Sequence, residues 1–308
     1  MTKHTSNMDA TTLRDNSATT LIRVEHDDPT LTTVTVTNAF MFNARERGQF
    51  WPIYSAFFSR LGVAIGGNTN LQDLYLDEND DTYLDEIGGE AFCEGMKHNS
   101  SIRNLTLMHP NFSRGIGRGI LSEFVADNSN IESIRLRGGF AAALQTLHDN
   151  GGANVLTSAL SRCTNLKSFT LDNFDIDGSI LHDIVSAIRG LHGLETLQYV
   201  DNNFLLNNLA DTNDNNSAKA GCEALASLLQ DPNSKLRVLV LINNNINDEY
   251  TVVLANSLKG NIKLEHLYLS SNGLTQNPNT ITEIGWEVIS GVLCNTSSVN
   301  ATHLSTTR

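Results

Sequence analysis

The sequence predicts an α/β solenoid, a horseshoe with parallel strands on its concave face and helices on its convex face. Three observations carry that prediction. An L-x-x-L-x-L pattern, with small apolar variations, returns seven times, starting at Leu71, Ile102, Ile131, Leu166, Leu194, Leu236 and Leu264. Successive starts lie 31, 29, 35, 28, 42 and 28 residues apart, so 28 or 29 is the basic period and the longer units carry insertions. After each copy, apolar residues reappear at helical spacing, as in Ile180, Leu181, Ile184, Val185 and Ile188. A unit of strand, turn, helix and polar return cannot bury its apolar face alone, and stacking on its neighbours does that for it. Helices are wider than strands, so stacking in one direction curves the sheet.

The elements follow in chain order. Residues 1–20 are polar and aperiodic and are expected to be disordered. Residues 21–70 form an N-terminal capping repeat, because a terminal unit has nothing beyond it to stack on. Its strand is LTTVTVT, with Leu31, Val34 and Val36 inward, and Pro52 opens its helix, where a missing N–H is harmless. In that helix Ile53, Phe57, Leu61 and Ile65 recur every fourth residue. Seven of the chain's 20 aromatics fall between Phe40 and Phe58, and this cluster, Trp51 included, is expected to plug the end of the core.

Residues 71–298 carry the repeats. The fullest are Leu71-Leu74-Leu76 with Asn79, Leu236-Leu239-Leu241 with Asn244, and Leu264-Leu267-Leu269 with Asn272. Their asparagine is placed to hydrogen-bond the backbone where the strand turns away. The glycine-rich run 115–119 lacks the spacing and the Lys-Ser/Thr of a phosphate loop and is expected to open a helix. Residues 299–308 make a partial terminal repeat, in which Thr302 stands at the central leucine position.

Length alone would suggest about two domains for 308 residues, but stacked repeats form one continuous core. Lys and Arg total 21 against 34 Asp and Glu, a net charge of −13. So acidic a chain repels phosphate backbones, which argues against nucleic acid and leaves a basic protein partner open. The start, MTKHTSNMD, has no apolar core of a secretory signal, and no stretch approaches the ~18 apolar residues of a membrane span, so a cytoplasmic protein without membrane contact is expected. Cys93, Cys163, Cys222 and Cys294 form no CxxC pair and sit among apolar residues of predicted helices, so four buried thiols are expected rather than disulfides or metal ligands.

Catalytic and metal chemistry finds little support. Asp211-x-Asn213-x-Asn215 resembles the start of a calcium loop, but Asn216 replaces the turn glycine and Cys222 the closing glutamate. The histidines show no paired metal spacing, and no nucleophile with its base can be assembled. No enzyme activity and no cofactor are expected. Eight acidic residues and no Lys or Arg lie between Asp77 and Glu94, partly at a helix start, where carboxylates oppose the helix dipole.

If the leucines point inward, alternate strand residues point into the concave groove. Those positions are acidic and aromatic at Tyr75 and Asp77, basic at Arg135 and Arg137, and apolar at Val200, Val240 and Ile242 beside Tyr268. These eight residues are the candidate partner-binding set. An exposed apolar stretch favours contact unless neighbouring side chains shield it, and the sequence leaves both readings open. The extra segments of the long units, about 140–152, 203–217 and 275–280, follow the strands and precede the helices, as does the excess of the first unit. All four should therefore emerge on one edge of the horseshoe, where loops carry binding.

Segments such as LVLINNNINDEYTVVLANSLKGNIKLEHLYLSSNGL resemble the ribonuclease-inhibitor class of leucine-rich repeat proteins. That resemblance, over about 71–298, implies a non-catalytic module that holds a protein partner with its inner face and loops. It departs from the ribonuclease inhibitor itself, because Arg135 and Arg137 interrupt the acidic surface. Two alternatives come from the same class: an activator of a small GTPase, by similarity to the Ran activators, and the sensor fragment of a larger signalling protein. The activators' strongly acidic tail is not seen in the chain. Neither the partner nor the oligomeric state is assigned by the sequence.

Overall fold

The computed structural model describes residues 19–36, 52–77, 86–110, 115–126, 128–139, 147, 151–174, 176–202, 212–269 and 281–294. The stretch expected to be disordered, apart from its last two residues, lies outside them. So do the aromatics from Phe40 to Trp51, Asn79, Asn272 and the terminal segment 299–308.

Eight strands form one sheet: β1 Thr33–Val36, β2 Asp73–Asp77, β3 Asn104–Met108, β4 Ser133–Arg137, β5 Ser168–Asp172, β6 Thr196–Val200, β7 Val238–Ile242 and β8 His266–Tyr268. Every adjacent pair is parallel, and spatial order equals chain order. Helices alternate with the strands: α1 at 19–25, α2 Pro52–Gly67, α3 Glu86–Met96, α4 Gly115–Gly119 with a π-helical continuation over Ile120–Val125, α5 Gly152–Arg162, α6 Gly178–Arg189, α7 Thr212–Gln230, α8 Asp248–Leu258 and α9 Glu283–Leu293. This is the leucine-rich-repeat type of α/β solenoid, strands concave and helices convex.

The repeat motif sets the register. Leu74 pairs with Leu105, then Ile134, Phe169, Leu197, Leu239 and Leu267 across successive strands. A second inward row runs from Leu76 through Leu107, Leu136 and Leu171 to Tyr199 and Leu241. All are buried, as are the leading apolar residues from Leu71 to Leu264. A slip of one residue would turn both rows out to water, so burial fixes the pairing. At the start of the chain Leu21 and Val24 of α1 and Val34 and Val36 of β1 join the same core. Phe58 is buried there, edge-on to Phe57 at 5.5 Å and to Phe92 at 6.0 Å.

Asparagines tie the units along both edges of the sheet. On the leading edge, where strands begin, Asn68 Nδ2 donates to Val24 O, and Asn99 Nδ2 to Ile65 O and Asn68 O. Asn128 Nδ2 donates to Asn99 O, and Asn261 Nδ2 to Leu229 O. The side-chain oxygens of Asn68, Asn99 and Asn261 accept from the backbone N–H groups that open the next strand segment. On the trailing edge Asn202 Nδ2 donates to Leu171 O and Asn244 Nδ2 to Tyr199 O, both side chains fully buried.

The helices touch most closely at two places. A Cβ on Gly62 would collide with the Phe92 carbonyl, and one on Gly66 with the Gly95 carbonyl, so α2 and α3 meet backbone to backbone. The same holds between Gly178 of α6 and the Ser217 carbonyl of α7.

Two expectations need correction. Segment 203–217 is not wholly an insertion before a helix, since α7 already begins at Thr212. Its first turns are polar, and the apolar periodicity starts only at Ala218, so the pattern marked the buried part of the helix alone. Cys93, Cys163 and Cys222 are buried as expected, but Cys294 is exposed, at the point where the chain leaves α9.

The concave groove as candidate functional site

The outward positions line up in three rows across the sheet. One runs Thr35, Tyr75, Thr106, Arg135, Thr170, Gln198, Val240 and Tyr268. The next runs Asp77, Met108, Arg137, Asp172, Val200 and Ile242. All eight candidate residues thus stand on the concave face, in two adjacent rows. They are not one cluster: Tyr75 and Tyr268 are separated by five intervening strands.

At the acidic end, Asp73 accepts hydrogen bonds from Thr33 at 3.1 Å and from Asn104 at 2.7 Å. Asp77 Oδ1 meets His109 Nδ1 at 2.9 Å. Burial raises the Tyr75 hydroxyl pKa, the Asp77 charge adds to the rise, and Arg137 and Arg135 oppose it. That phenol is neutral at physiological pH.

The basic patch is not a bare pair of arginines. Asp172, on the neighbouring strand, receives Arg135 Nη2 at 3.3 Å and Arg137 Nε at 3.5 Å on the same oxygen, Oδ2. Its side chain is 10% exposed, whereas those of Arg135 and Arg137 are 53% and 49% exposed. One buried carboxylate therefore anchors two guanidiniums that still face the groove. Among the described outward strand positions these are the only Lys or Arg side chains.

At the apolar end Val240 is shielded, 8% exposed, while Val200, Val238, Ile242 and Tyr268 remain partly exposed. Tyr268 stacks on His266, ring centroids 6.4 Å apart. The strip is thus a ridge of partly exposed apolar edges with Val240 sunk between them.

The two rims differ. On the leading rim, Gln72 follows the first leading position, and from Ile102 onward the following residue reads Arg103, Glu132, Lys167, Glu195, Arg237 and Glu265, alternating in sign from unit to unit. Lys167 reaches Glu132 at 2.7 Å, and Arg237 binds Glu265 through two nitrogens at 2.7 and 2.8 Å. Those hydrogen bonds hold the Glu132 and Glu265 carboxyls below their ordinary value. On the trailing rim, the residue after the strand takes a left-handed backbone at His109, Asn173, Asp201 and Asn243, with φ of 53°, 60°, 57° and 53°. Asn, Asp and His tolerate that conformation better than other side chains. The segments expected to insert there start from this rim and return at α2, α5, α7 and α9; 203–211, 275–280 and most of 140–150 lie outside the described residues.

Sequence reasoning missed Asp172 as the anchor of the arginines, the alternating charges, and the leading-edge asparagines. The asparagines and the charges had a signal, a position at a fixed offset from the leading leucine, visible only once the units are aligned; the Asp172 contact had none. Among the described residues no group of three or more His, Cys, Asp or Glu side chains could hold a metal ion, and no helix is long and apolar enough to cross a membrane.

No family profile and no curated protein matches the chain. Among solved structures, the actin-binding site 2 of leiomodin-1 is similar at 18% identity over 67% of this chain and 90% of that one, with a TM-score of 0.29. The tropomodulin C-terminal domain from Caenorhabditis elegans is similar at 13% identity over 69% of this chain and 95% of that one, with a TM-score of 0.30. Identity and TM-score are low in both, and the assignment of the fold rests on the sheet, its register and its repeat.

Proposed function

We propose that the chain is a non-catalytic protein-binding module of the ribonuclease-inhibitor class of leucine-rich repeats, working in the cytoplasm. A partner lies along the concave groove and touches the trailing-rim segments, while 21–70 serves as the cap of the stack. The observation that carries this reading is the apolar strip of Val200, Val238, Ile242 and Tyr268, partly exposed on three adjacent strands. Solvent-facing apolar surface of that kind gains most when a partner covers it. The charged patch beside it supplies the orientation that apolar contact lacks.

The test compares the two faces of one strand. Ile242→Asp together with Val200→Asp places charges on the groove surface, and should abolish partner capture while melting close to wild type. Leu241→Ala, one residue away and facing inward, should lose about 2–5 kcal/mol of stability through the cavity it leaves. Capture of the same partners, undiminished, by the folded double variant would sink the reading.

A further inference from the structure

We propose that the groove selects a protein segment carrying a carboxylate side chain, which seats on Arg135 and Arg137, and an apolar side chain four residues away, which seats between Val200 and Ile242. This rests on the concave-face reading above and names the chemistry of its partner.

The arginines supply the first half. Both reach one oxygen of Asp172 at 3.3 and 3.5 Å, the long end of hydrogen-bonding range, and both keep about half of their side chain exposed. A guanidinium has more N–H donors than such a contact engages, arranged in a fork that fits a carboxylate. Asp172 holds the pair in place without neutralising it, since two positive charges face one negative. The patch is therefore preorganised and net positive in a chain whose net charge is −13. Tyr75 stands in the same row as Arg135, two strands away, and adds a hydroxyl to that face. An incoming anion meets donors already fixed, which lowers the entropy lost on binding.

Geometry supplies the second half. Arg137, Asp172, Val200 and Ile242 occupy one row on four adjacent strands. Strands lie about 4.8 Å apart, so Arg137 and Ile242 are separated by about 14 Å along the groove. An extended segment places same-face side chains about 6.7 Å apart, and residues i and i+4 about 13 Å apart. The carboxylate and the apolar group then reach their two seats from one face of one short segment. A basic residue in the first position would instead be repelled by the guanidiniums.

The experiment is affinity selection of random linear peptides displayed on phage against the folded chain. The enriched peptides are then measured as labelled synthetic peptides. The expected result is enrichment of Asp or Glu four residues from a large apolar residue. Binding should weaken about tenfold or more when the acid is changed to its amide or when Arg135→Glu and Arg137→Glu are introduced. The melting temperature of that variant is checked first, and Arg135→Gln with Arg137→Gln serves if the reversal unfolds it. Peptides without an acidic preference that still lose binding on Ile242→Asp would overturn the carboxylate proposal and leave the groove reading standing. Peptides indifferent to both sets of substitutions, or an empty selection, would overturn both.

Discussion

The leading and trailing edges of the sheet are laced by the same residue, the leading edge in the early units and again before the last strand, the trailing edge only in the later units. Asn68, Asn99 and Asn128 tie the early units at the edge where strands begin. Asn202 and Asn244 tie the later ones where strands end. The reason lies in the acceptors each edge offers. At the leading edge they include Val24 O, Ile65 O and, later, Leu229 O, carbonyls of a last helical turn, where the i+4 donor is missing; Val24 O and Ile65 O each accept one further N–H, from Asp27 and Asn68. At the trailing edge they are strand carbonyls at the bend, Leu171 O and Tyr199 O. Between the two stretches the leading position is held by Cys163, buried so deeply that its thiol is pushed up to about 12, and then by Leu191. An apolar stack holds units together with little direction, and the amide side chains supply direction wherever the backbone runs short of partners.

The largest expected effect tests whether the two laces are equivalent. Asn99→Ala leaves two strand-opening N–H groups without their side-chain acceptor and takes one of two hydrogen bonds from each of Ile65 O and Asn68 O, and should lower stability by about 2–3 kcal/mol. Asn244→Ala at the opposite edge should cost a similar amount, read by denaturant unfolding of each variant. A cost confined to one of them would break the symmetry argued here. Next comes the helix layer, where a glycine in backbone contact can be set against one in open space. Gly62→Ala drives a methyl group into the Phe92 carbonyl and should destabilise by about 1–3 kcal/mol, whereas Gly260→Ala, with open space around it, should not. Equal melting of the two variants would show that α2 can shift away from α3.

The smallest effect separates the leading rim from the turn before β1. Glu132 and Glu265 have folded values lowered chiefly by hydrogen bonds from Lys167 and Arg237. Their contribution is present above the ordinary carboxylate range and is lost as pH falls through the lowered folded value, because the unfolded chain takes up protons first. Asp28, lowered from 3.8 to about 2 chiefly by Thr30 and then by Arg23, loses its contribution progressively between those two values. Melting temperature followed down to about pH 2 should therefore fall progressively from the ordinary carboxylate range. Glu132→Gln should blunt the upper part of the fall and Asp28→Asn the lower. High salt should weaken the glutamate contribution, since those pairs face water.

The fold was legible because burial imposes a period of two on strands and the motif prints it seven times. The helices followed for the same reason, and α7 was misjudged only where its early turns are polar. The groove's composition was also legible once the strand register was known. Its electrostatics were not: Asp172 meets Arg135 and Arg137 across 37 and 35 positions of chain, a contact that exists only after the units stack. The sinking of Val240 is likewise a property of the stacked rows, decided by the side chains on either side of it.

The alternating signs of the leading rim limit how such a chain can change length. Arg103, Glu132, Lys167, Glu195, Arg237 and Glu265 form a sequence in which every neighbour is opposite. Removing one internal unit would bring two like charges face to face, while removing two consecutive units would restore the alternation. The leucine stack accepts any whole number of repeats; the rim accepts only even changes without repulsion. The rim therefore favours even changes in unit number, by the small energy that ion pairs facing water carry.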